Sequence, residues 1–332
     1  MANTRPHPSS PCASRKELRR ARYAHRHAQA LTRSFLDGVR RGCGIDAREI
    51  KTMVSECVRC IMRCPDTLLW LGKMHQHEED TAAHSLNTSL LAIAFGRYLG
   101  AAEEDLNRLG VAGLLHDIGK MHIPPELLYK AGPLDADEFS VMQRHTQQGH
   151  DILRDHGGTF HGAMDVAYSH HENLDGSGYP RRITSADISS FTRIVMLCDV
   201  YDAITSDRIY RKGSSPQKAL RFISDQTGIK FDPRLARQFT RFIGPYPPGS
   251  IVELHSGEVA IVIGPNTRHR HLPTVMVLRD ADKNPVREHA LCLEKLARAN
   301  PSPLIREVLP NGSQGIHIGD YIEKGLTLDN RR

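Results

Sequence analysis

The sequence lacks any long run of apolar residues, and this excludes a helix that spans a membrane. Its 332 residues are 39% hydrophobic and 25% charged, but no stretch approaches the roughly 18 uninterrupted apolar residues that a span requires. The N-terminus also lacks an apolar segment behind its charges, so we expect no secretory signal. Seven cysteines, an odd number, then indicate reduced thiols. We therefore expect a cytoplasmic protein with enough apolar material for a core.

Large aromatic residues are scarce, whereas histidine is abundant. One tryptophan, 9 tyrosines and 9 phenylalanines stand against 19 histidines. Eleven of these histidines fall between residues 75 and 171. Imidazole is a common metal ligand, and its charge changes near neutral pH. The composition therefore indicates metal or proton chemistry in this part of the chain.

Most of the chain also lacks an excess of positive charge. The formal net charge is +6, but residues 1–42 alone hold ten Lys and Arg against two acidic residues. The other 290 residues therefore carry a net charge of about −2. A basic segment can attract RNA or lipid headgroups without sequence specificity, although a solvated, partly helical extension is the simpler interpretation. We expect no DNA binding by the main body of the protein.

The hydrophobic pattern divides the chain into a helical part and a shorter part with the pattern of strands. Apolar residues recur at intervals of three and four before residue 243, which is typical of helices. After a cluster of glycine and proline, apolar runs at 251–254, 259–263 and 274–278 predict strands. We expect four segments: a basic, partly disordered segment (1–42), a helical domain (43–243), a small β module (244–300) and an irregular tail (301–332).

Two local motifs predict helix ends. Asp135 followed by Glu138 has the pattern of a capping box, which opens a helix that we expect to continue to the next glycine pair. Gly119 follows His116-Asp117 closely, and glycine is common in the left-handed position just beyond a helix. The sequence therefore predicts that a helix ends at His116-Asp117.

Five histidines and two aspartates recur along the helical part at intervals of 25 to 32 residues. They are His84, His116, Asp117, His145, His170, His171 and Asp199. Each interval fits one helix and a return loop, so successive helices of a bundle can aim them at one point. Imidazole suits borderline divalent ions such as iron, and a carboxylate can bridge two ions. Because seven donors exceed the needs of one tetrahedral site, the set predicts a two-metal centre. Four other histidines are expected to be ordinary core or surface groups: His122, His150, His156 and His161.

Longer motifs around these residues are similar to those of a known family. In chain order they are His116 to Lys120 (HDIGK), Gln143 to His145 (QRH), His170 to Pro180 (HHENLDGSGYP), Asp199 to Ala203 (DVYDA) and Asp207 to Arg211 (DRIYR). With every motif in order between residues 80 and 211, the chain resembles the HD-GYP family of bacterial cyclic di-GMP phosphodiesterases. The resemblance implies a mainly α protein, an HD-type helical bundle followed by a small C-terminal all-β module.

The resemblance also implies roles for individual residues. The seven residues above match metal ligands, and Asp117 matches the carboxylate that bridges two ions. Lys120 matches the lysine that meets the scissile phosphate, so Asp117 and Lys120 are the expected catalytic residues. Arg208 and Arg211 match a basic pair that grips the dinucleotide, a role that suits the guanidinium fork. The name-giving loop, which the family uses around the site and for docking diguanylate cyclase (GGDEF) domains, consists of Gly178, Tyr179 and Pro180.

Two positions depart from the family pattern. Some members hold a third metal ion with a glutamate four residues before the first histidine, where this chain has Asp80. Asp80 and His84 can share a helix face, but aspartate reaches less far than glutamate, so a third ion is left open. Asn173 stands where a basic residue is common, and this change is expected to weaken a substrate contact without affecting the metals.

The function implied by the resemblance is that of a metal-dependent phosphodiesterase in bacterial second-messenger signalling, which hydrolyses cyclic di-GMP to linear pGpG. Two divalent ions are implied, and the number of histidines favours iron or manganese. Further hydrolysis to GMP and formation of a homodimer are left open. Two alternatives remain: a phosphodiesterase for another cyclic dinucleotide such as cyclic GMP-AMP, or a non-catalytic module that senses the dinucleotide or docks on a cyclase. Loss of a metal ligand would indicate the second alternative, and none is lost.

Overall fold

The computed structural model describes residues 15–72, 81–155, 161–206, 213–266, 268–299 and 304–324. Its α-helices are α1 (Arg15–Arg40), α2 (Ala47–Arg63), α3 (Pro65–Leu71), α4 (Thr81–Leu99), α5 (Glu103–Leu115), α6 (Pro125–Leu128), α7 (Ala136–Gln143), α8 (His145–Arg154), α9 (His161–Ser169), α10 (Ser190–Thr205), α11 (Pro216–Asp225), α12 (Pro233–Ile243), α13 (Leu293–Ala299) and α14 (Ile318–Glu323). Its strands are β1 (Ile251–Leu254), β2 (Val259–Gly264), β3 (Thr274–Arg279), β4 (Pro285–Cys292) and β5 (Ile305–Leu309). The prediction of a mainly α protein with a small all-β module is confirmed.

The chain forms two compact units. A helical unit contains the described residues of 23–62 and 76–242, and a second unit contains the described residues of 1–22, 63–75 and 243–332. Helix α1 occupies most of residues 1–42, which were expected to form a basic, partly disordered segment. Within the helical unit this helix buries Ala24, Ala28 and Leu36, because small and apolar residues form a stripe between its arginines.

Helix α4 is the centre of the helical unit. Nearly every residue from Leu86 to Gly96 is buried, as expected of a helix that is surrounded by others. It packs against α5 and α10. Gly113 on α5 allows the backbones of α4 and α5 to approach closely, because a Cβ there would lie only 3.0 Å from the Cα of Ser89. No helix within the described ranges is long and apolar enough to cross a bilayer.

Helix α5 ends close to His116-Asp117, as the sequence predicts, but Gly119 has a different role from the one expected. Helix α5 ends at Leu115, and a short 3₁₀ helix, Ile118–His122, follows. Gly119 does not adopt the left-handed conformation that we expected. It is needed instead for a close crossing, because a Cβ at this position would lie 1.9 Å from the carbonyl oxygen of His145. The turn after α5 is thereby held against the first turn of α8.

Helices α7 and α8 occupy the run in which we expected one continuous helix. The capping box is present: the Asp135 carboxylate accepts from the Glu138 backbone N–H, and the Glu138 carboxylate accepts from that of Asp135, both at 2.9 Å. Helix α7 ends at Gln143, however, and α8 begins at His145. The break places His145 at the start of a helix instead of in its middle.

The second unit contains a five-stranded antiparallel sheet with the strand order β4-β3-β2-β1-β5. The three predicted strands match β1, β2 and β3 closely. Its core includes Val252, Val262, Val275 and Val277, all fully buried. Strand β5 lies within residues 301–332, which were expected to form an irregular tail. It pairs with β1 and buries only Ile305 fully, so its apolar signal is weak.

Candidate metal centre

Helix ends carry six of the seven predicted ligands. His84 lies in the first turn of α4, His145 is the first residue of α8, and the pairs His116-Asp117 and His170-His171 follow the last residues of α5 and α9. Asp199 comes from the middle of α10. Neighbouring residues on a regular helix diverge, but Asp117 has left the helical conformation, with φ −104° and ψ 12°. An adjacent pair can therefore converge on one centre.

The structure brings the seven residues together in two groups. Donor atoms of Asp117, His145, His170 and His171 lie within 4.8 Å of one another. The same holds for the second group, which consists of His84, His116 and Asp199.

Asp117 stands between the two groups. Its Oδ1 lies 3.4 Å from Nε2 of His145 and 3.4 Å from Nε2 of His170. Its Oδ2 lies 3.3 Å from Nε2 of His116 and 3.8 Å from Nε2 of His84. Each carboxylate oxygen therefore faces a different group, which is the arrangement expected of a bridging ligand.

Backbone carbonyls fix the orientation of three imidazoles. Nδ1 of His116 lies 2.8 Å from the carbonyl oxygen of Gly113, and Nδ1 of His145 lies 2.7 Å from that of Met142. Nδ1 of His170 lies 3.1 Å from the carbonyl oxygen of Val166. A carbonyl only accepts, so in the neutral ring each Nδ1 carries the proton and each Nε2 offers a lone pair.

These lone pairs have no donors to satisfy them within the described residues. His116 Nε2 and Asp117 Oδ1 are buried without a hydrogen-bond partner there. Nε2 of His145 and Nε2 of His170, both acceptors, lie 3.4 Å apart. Buried acceptors without partners are costly, and facing lone pairs repel. The residues present therefore fit divalent metal ions, which accept lone pairs from all of these atoms.

The carboxylates of the centre are held in their ionised form. Burial acts to raise the pKa of both Asp117 and Asp199. The Lys120 ammonium beside Asp117 opposes this effect, and the pKa of Asp117 is well below its ordinary value. A hydrogen bond from His84 similarly holds the pKa of Asp199 well below its ordinary value. Both side chains therefore carry the charge that metal binding requires.

Three of the imidazoles divide into two kinds by the direction of their pKa shifts, because burial lowers the pKa and neighbouring carboxylates raise it. Burial lowers the pKa of His145 to about 3 and holds that of His171 well below its ordinary value, so both rings are neutral. For His84, burial also acts to lower the pKa, but hydrogen bonds to Asp199 and Asp202 raise it to about 9. The carboxylates around His84 thus favour a positive charge at this point.

Asp202 belongs to the centre although it is not among the residues predicted for the site. Its Oδ2 lies 2.8 Å from Nδ1 of His84, whose Nε2 lies 3.1 Å from Oδ1 of Asp199. Ser206 donates to the other oxygen of Asp202 at 3.0 Å. The spacing of three residues from Asp199 on α10 is a signal for a shared helix face. Asp202 therefore orients His84 from behind.

Two lysines lie near the carboxylates. Nζ of Lys120 is 2.5 Å from Oδ2 of Asp117, and the side chain is 22% exposed. Lys230, which is not among the predicted site residues, lies between α11 and α12. Burial lowers the pKa of Lys230, whereas the Asp199 carboxylate acts to raise it. The Lys120 ammonium therefore places positive charge beside Asp117.

The loop after His171 folds back on that ligand. The buried Glu172 carboxylate accepts from the backbone N–H groups of Arg181 at 2.7 Å and Ile183 at 3.2 Å. The Tyr179 ring stacks on the His171 ring with a centroid distance of 4.8 Å. Asn173 donates to Ser177 Oγ at 2.9 Å. The Asn173 side chain is therefore engaged within the loop.

Three predicted site residues, Asp80, Arg208 and Arg211, lie outside the described residues, as does His156. Among the described residues of the helical part, three further histidines, His122, His150 and His161, are not members of either ligand group. His122 and His161 are exposed, and His150 packs against Tyr168 with ring centroids 4.8 Å apart. These positions agree with the expectation of ordinary surface or packing groups.

Comparison with known proteins gives a family and close relatives. The HD domain family matches residues 66–235. Cyclic di-GMP phosphodiesterase PA4108 of Pseudomonas aeruginosa is 36% identical over 298 residues, which cover 88% of this chain and 72% of that protein. The cyclic di-GMP phosphodiesterase response regulator RpfG of Xanthomonas campestris pv. campestris is 37% identical over 172 residues, 51% of this chain and 45% of that protein.

Two further proteins widen the comparison. The 3'3'-cGAMP-specific phosphodiesterase 2 of Vibrio cholerae serotype O1 is 36% identical over 157 residues, 47% of this chain and 30% of that protein. The solved structure of Bd1817, a HDG"Y"P protein from Bdellovibrio bacteriovorus, superposes with a TM-score of 0.59 at 16% identity. This match covers 69% of this chain and 73% of that chain, and it shows a shared fold.

Proposed function

This chain belongs to the HD domain family and, within it, to the HD-GYP group, and from that membership we propose that its metal centre hydrolyses cyclic di-GMP. The observation that carries the proposal is the position of Asp117. Its two oxygens face separate groups of imidazoles, and buried acceptors of both groups have no donor among the described residues. An arrangement of this kind supports a two-metal phosphodiesterase.

The two groups of side chains support one divalent ion each. The first ion would be held by Asp117, His145, His170 and His171, and the second by His84, His116, Asp199 and the shared Asp117. A set this rich in imidazole favours iron or manganese over magnesium or calcium. Such ions supply Lewis acidity, which polarises a phosphoryl oxygen and activates water.

Lys120 complements the centre as a fixed positive charge. Its ammonium group lies 2.5 Å from Asp117 and is partly exposed, so it can also donate to a nonbridging oxygen of a phosphodiester at the centre. Negative charge that develops on that oxygen is stabilised by a donor already in place. Arg208 and Arg211 are proposed to hold the other phosphate. Hydrolysis adds one water across a P–O bond and opens the ring to linear pGpG, and a second cut would yield GMP.

Cyclic GMP-AMP is the second candidate substrate. The similarity to a protein named as specific for 3'3'-cGAMP favours testing it beside cyclic di-GMP. The two molecules differ in one purine base and share the phosphodiester ring, so the ligand groups alone do not separate them. A non-catalytic sensing module is less well supported, since the chain has a metal-binding side chain at all seven ligand positions and the fold brings them together in two groups.

Partners and location follow from the family resemblance. We propose that the loop formed by Gly178, Tyr179 and Pro180 docks the GGDEF domain of a diguanylate cyclase, and that the protein acts in the cytoplasm. A homodimer also stays a prediction.

The test of the proposed function is hydrolysis by the purified chain after anaerobic reconstitution with Fe²⁺ or Mn²⁺. We expect the wild-type protein to convert cyclic di-GMP to pGpG, with the product measured by chromatography. We expect Asp117→Ala to lose this turnover. Asp187→Ala, which removes an exposed carboxylate, is the matched control and should remain active. A metal-loaded wild-type protein that leaves cyclic di-GMP intact would refute the proposal, as would full activity of Asp117→Ala.

A further inference from the structure

A series of aromatic rings leads from the metal centre to the surface. The Tyr179 ring stacks on the His171 ring, with a centroid distance of 4.8 Å and an interplanar angle of 26°. Phe139 of helix α7 meets Tyr179 edge to face, with a centroid distance of 5.9 Å and an angle of 82°. Phe139 is 45% exposed. An apolar ring thus stays open to solvent two ring contacts away from a predicted metal ligand.

Backbone contacts hold these rings in place. The buried Glu172 carboxylate binds two backbone N–H groups just beyond Tyr179. Gly178 lies so close to the start of its own loop that a Cβ there would come within 2.3 Å of the Asn173 nitrogen. On the other side, the capping box fixes the first turn of α7, which leads into Phe139. A site that is ordered before binding pays less entropy when a ligand arrives.

We propose that Phe139 and Tyr179 form a stacking wall for one purine base of the cyclic dinucleotide. The inference rests on the proposed function, because it needs a substrate whose phosphate lies at the metal centre. In a nucleotide the ribose separates the base from the phosphate, so a base must lie beside the centre and not on it. Within the described residues, Tyr179 and Phe139 are rings that lie beside the centre in this way. Purine bases stack on aromatic side chains whatever their exocyclic groups, so the wall accepts guanine and adenine alike.

The test compares three variants by steady-state kinetics with cyclic di-GMP. Phe139→Ala removes the outer ring from an exposed helical position where alanine is well tolerated. Loss of a base-stacking contact should raise KM about 5- to 150-fold and leave kcat within about twofold. Phe139→Trp should restore KM, because indole offers a larger stacking face. Phe222→Ala is the matched control: Phe222 is 43% exposed, and no ring contact within the described residues joins it to the wall.

The outcomes separate this inference from the function on which it rests. Wild-type hydrolysis with an unchanged KM in Phe139→Ala would overturn the stacking wall alone. A decrease in both kcat and melting temperature in Phe139→Ala would show that Phe139 has a structural role, and this would also overturn the stacking wall. Failure of Phe139→Trp to restore KM would overturn it as well. A wild-type protein without activity on cyclic di-GMP would instead refute the proposed function.

Discussion

At the scale of single residues, the centre depends on side chains that touch ligands without being ligands themselves. Asp202 accepts from Nδ1 of His84 at 2.8 Å, so the opposite nitrogen faces Asp199 and Asp117. A carboxylate behind a metal-binding histidine fixes the ring and raises the basicity of the liganding nitrogen. Asp202 should therefore set the affinity of the group that contains His84.

Replacement of Asp202 tests this role. We expect Asp202→Ala to weaken metal binding at the second group about 10- to 100-fold. Asp202→Asn should fall between alanine and wild type, because an amide oxygen still accepts from His84 but lacks the charge. The measurement is Mn²⁺ titration by isothermal calorimetry, with the exposed Asp225→Ala as control. Equal affinity in wild type and Asp202→Ala would contradict the role.

The sequence predicts the candidate metal ligands better than it predicts the residues that hydrogen-bond to them and hold the adjoining loop. His84, Asp117 and Asp199 stand out because their residue types recur at intervals that suit successive helices. Glu172 does not recur in this way, and Asp202 offers only its spacing of three residues from Asp199. Their partners are a backbone N–H group nine residues away and an imidazole 118 residues away. A contact of this kind exists only after the chain has folded, so the sequence alone does not single these residues out.

At the scale of secondary structure, local signals predict where helices begin but not where tertiary contacts break them. The capping box at Asp135 correctly predicts the start of α7. The same apolar pattern continues past residue 144, yet the chain forms a second helix there. The carbonyl of His145 lies against Gly119, and such a crossing between distant segments leaves no trace in the local periodicity.

The capping box provides a prediction for helix α7. Asp135→Ala removes the acceptor for the Glu138 backbone N–H, and loss of such a cap costs about 0.5–2 kcal/mol of helix stability. We expect faster hydrogen exchange in the amides of α7 and little change in α10, because α7 can open locally.

Asp137→Ala, which removes a neighbouring exposed carboxylate outside the capping box, is the control for this measurement. Unchanged exchange in α7 of Asp135→Ala would show that packing, and not the cap, holds the helix.

At the scale of the whole molecule, apolar patterning predicts the interior of each unit but not its margins. The three predicted strands are the centre of the sheet, where Val262 and Val277 are fully buried. Strands β4 and β5 form its edges. Most side chains of β4 are exposed, so its sequence resembles that of a loop. An edge strand is specified mainly by the backbone hydrogen bonds that its neighbour offers, which composition does not reveal.

The helical unit should depend on its ions for stability. Without them, His116 Nε2 and Asp117 Oδ1 are buried acceptors that have no donors in the described part of the chain, whereas metal ions that bind only the folded protein stabilise it by mass action. At a metal concentration 100 times the dissociation constant this amounts to about 2.7 kcal/mol, or roughly 5–10 °C in melting temperature for a unit of this size.

We expect that shift in melting temperature when Mn²⁺ is added to metal-depleted protein in differential scanning calorimetry. Mg²⁺ should give a smaller shift, because imidazole suits it poorly, and Asp117→Ala should lose most of the Mn²⁺ effect. Identical melting of depleted and Mn²⁺-loaded wild-type protein would mean that these side chains do not form a metal site.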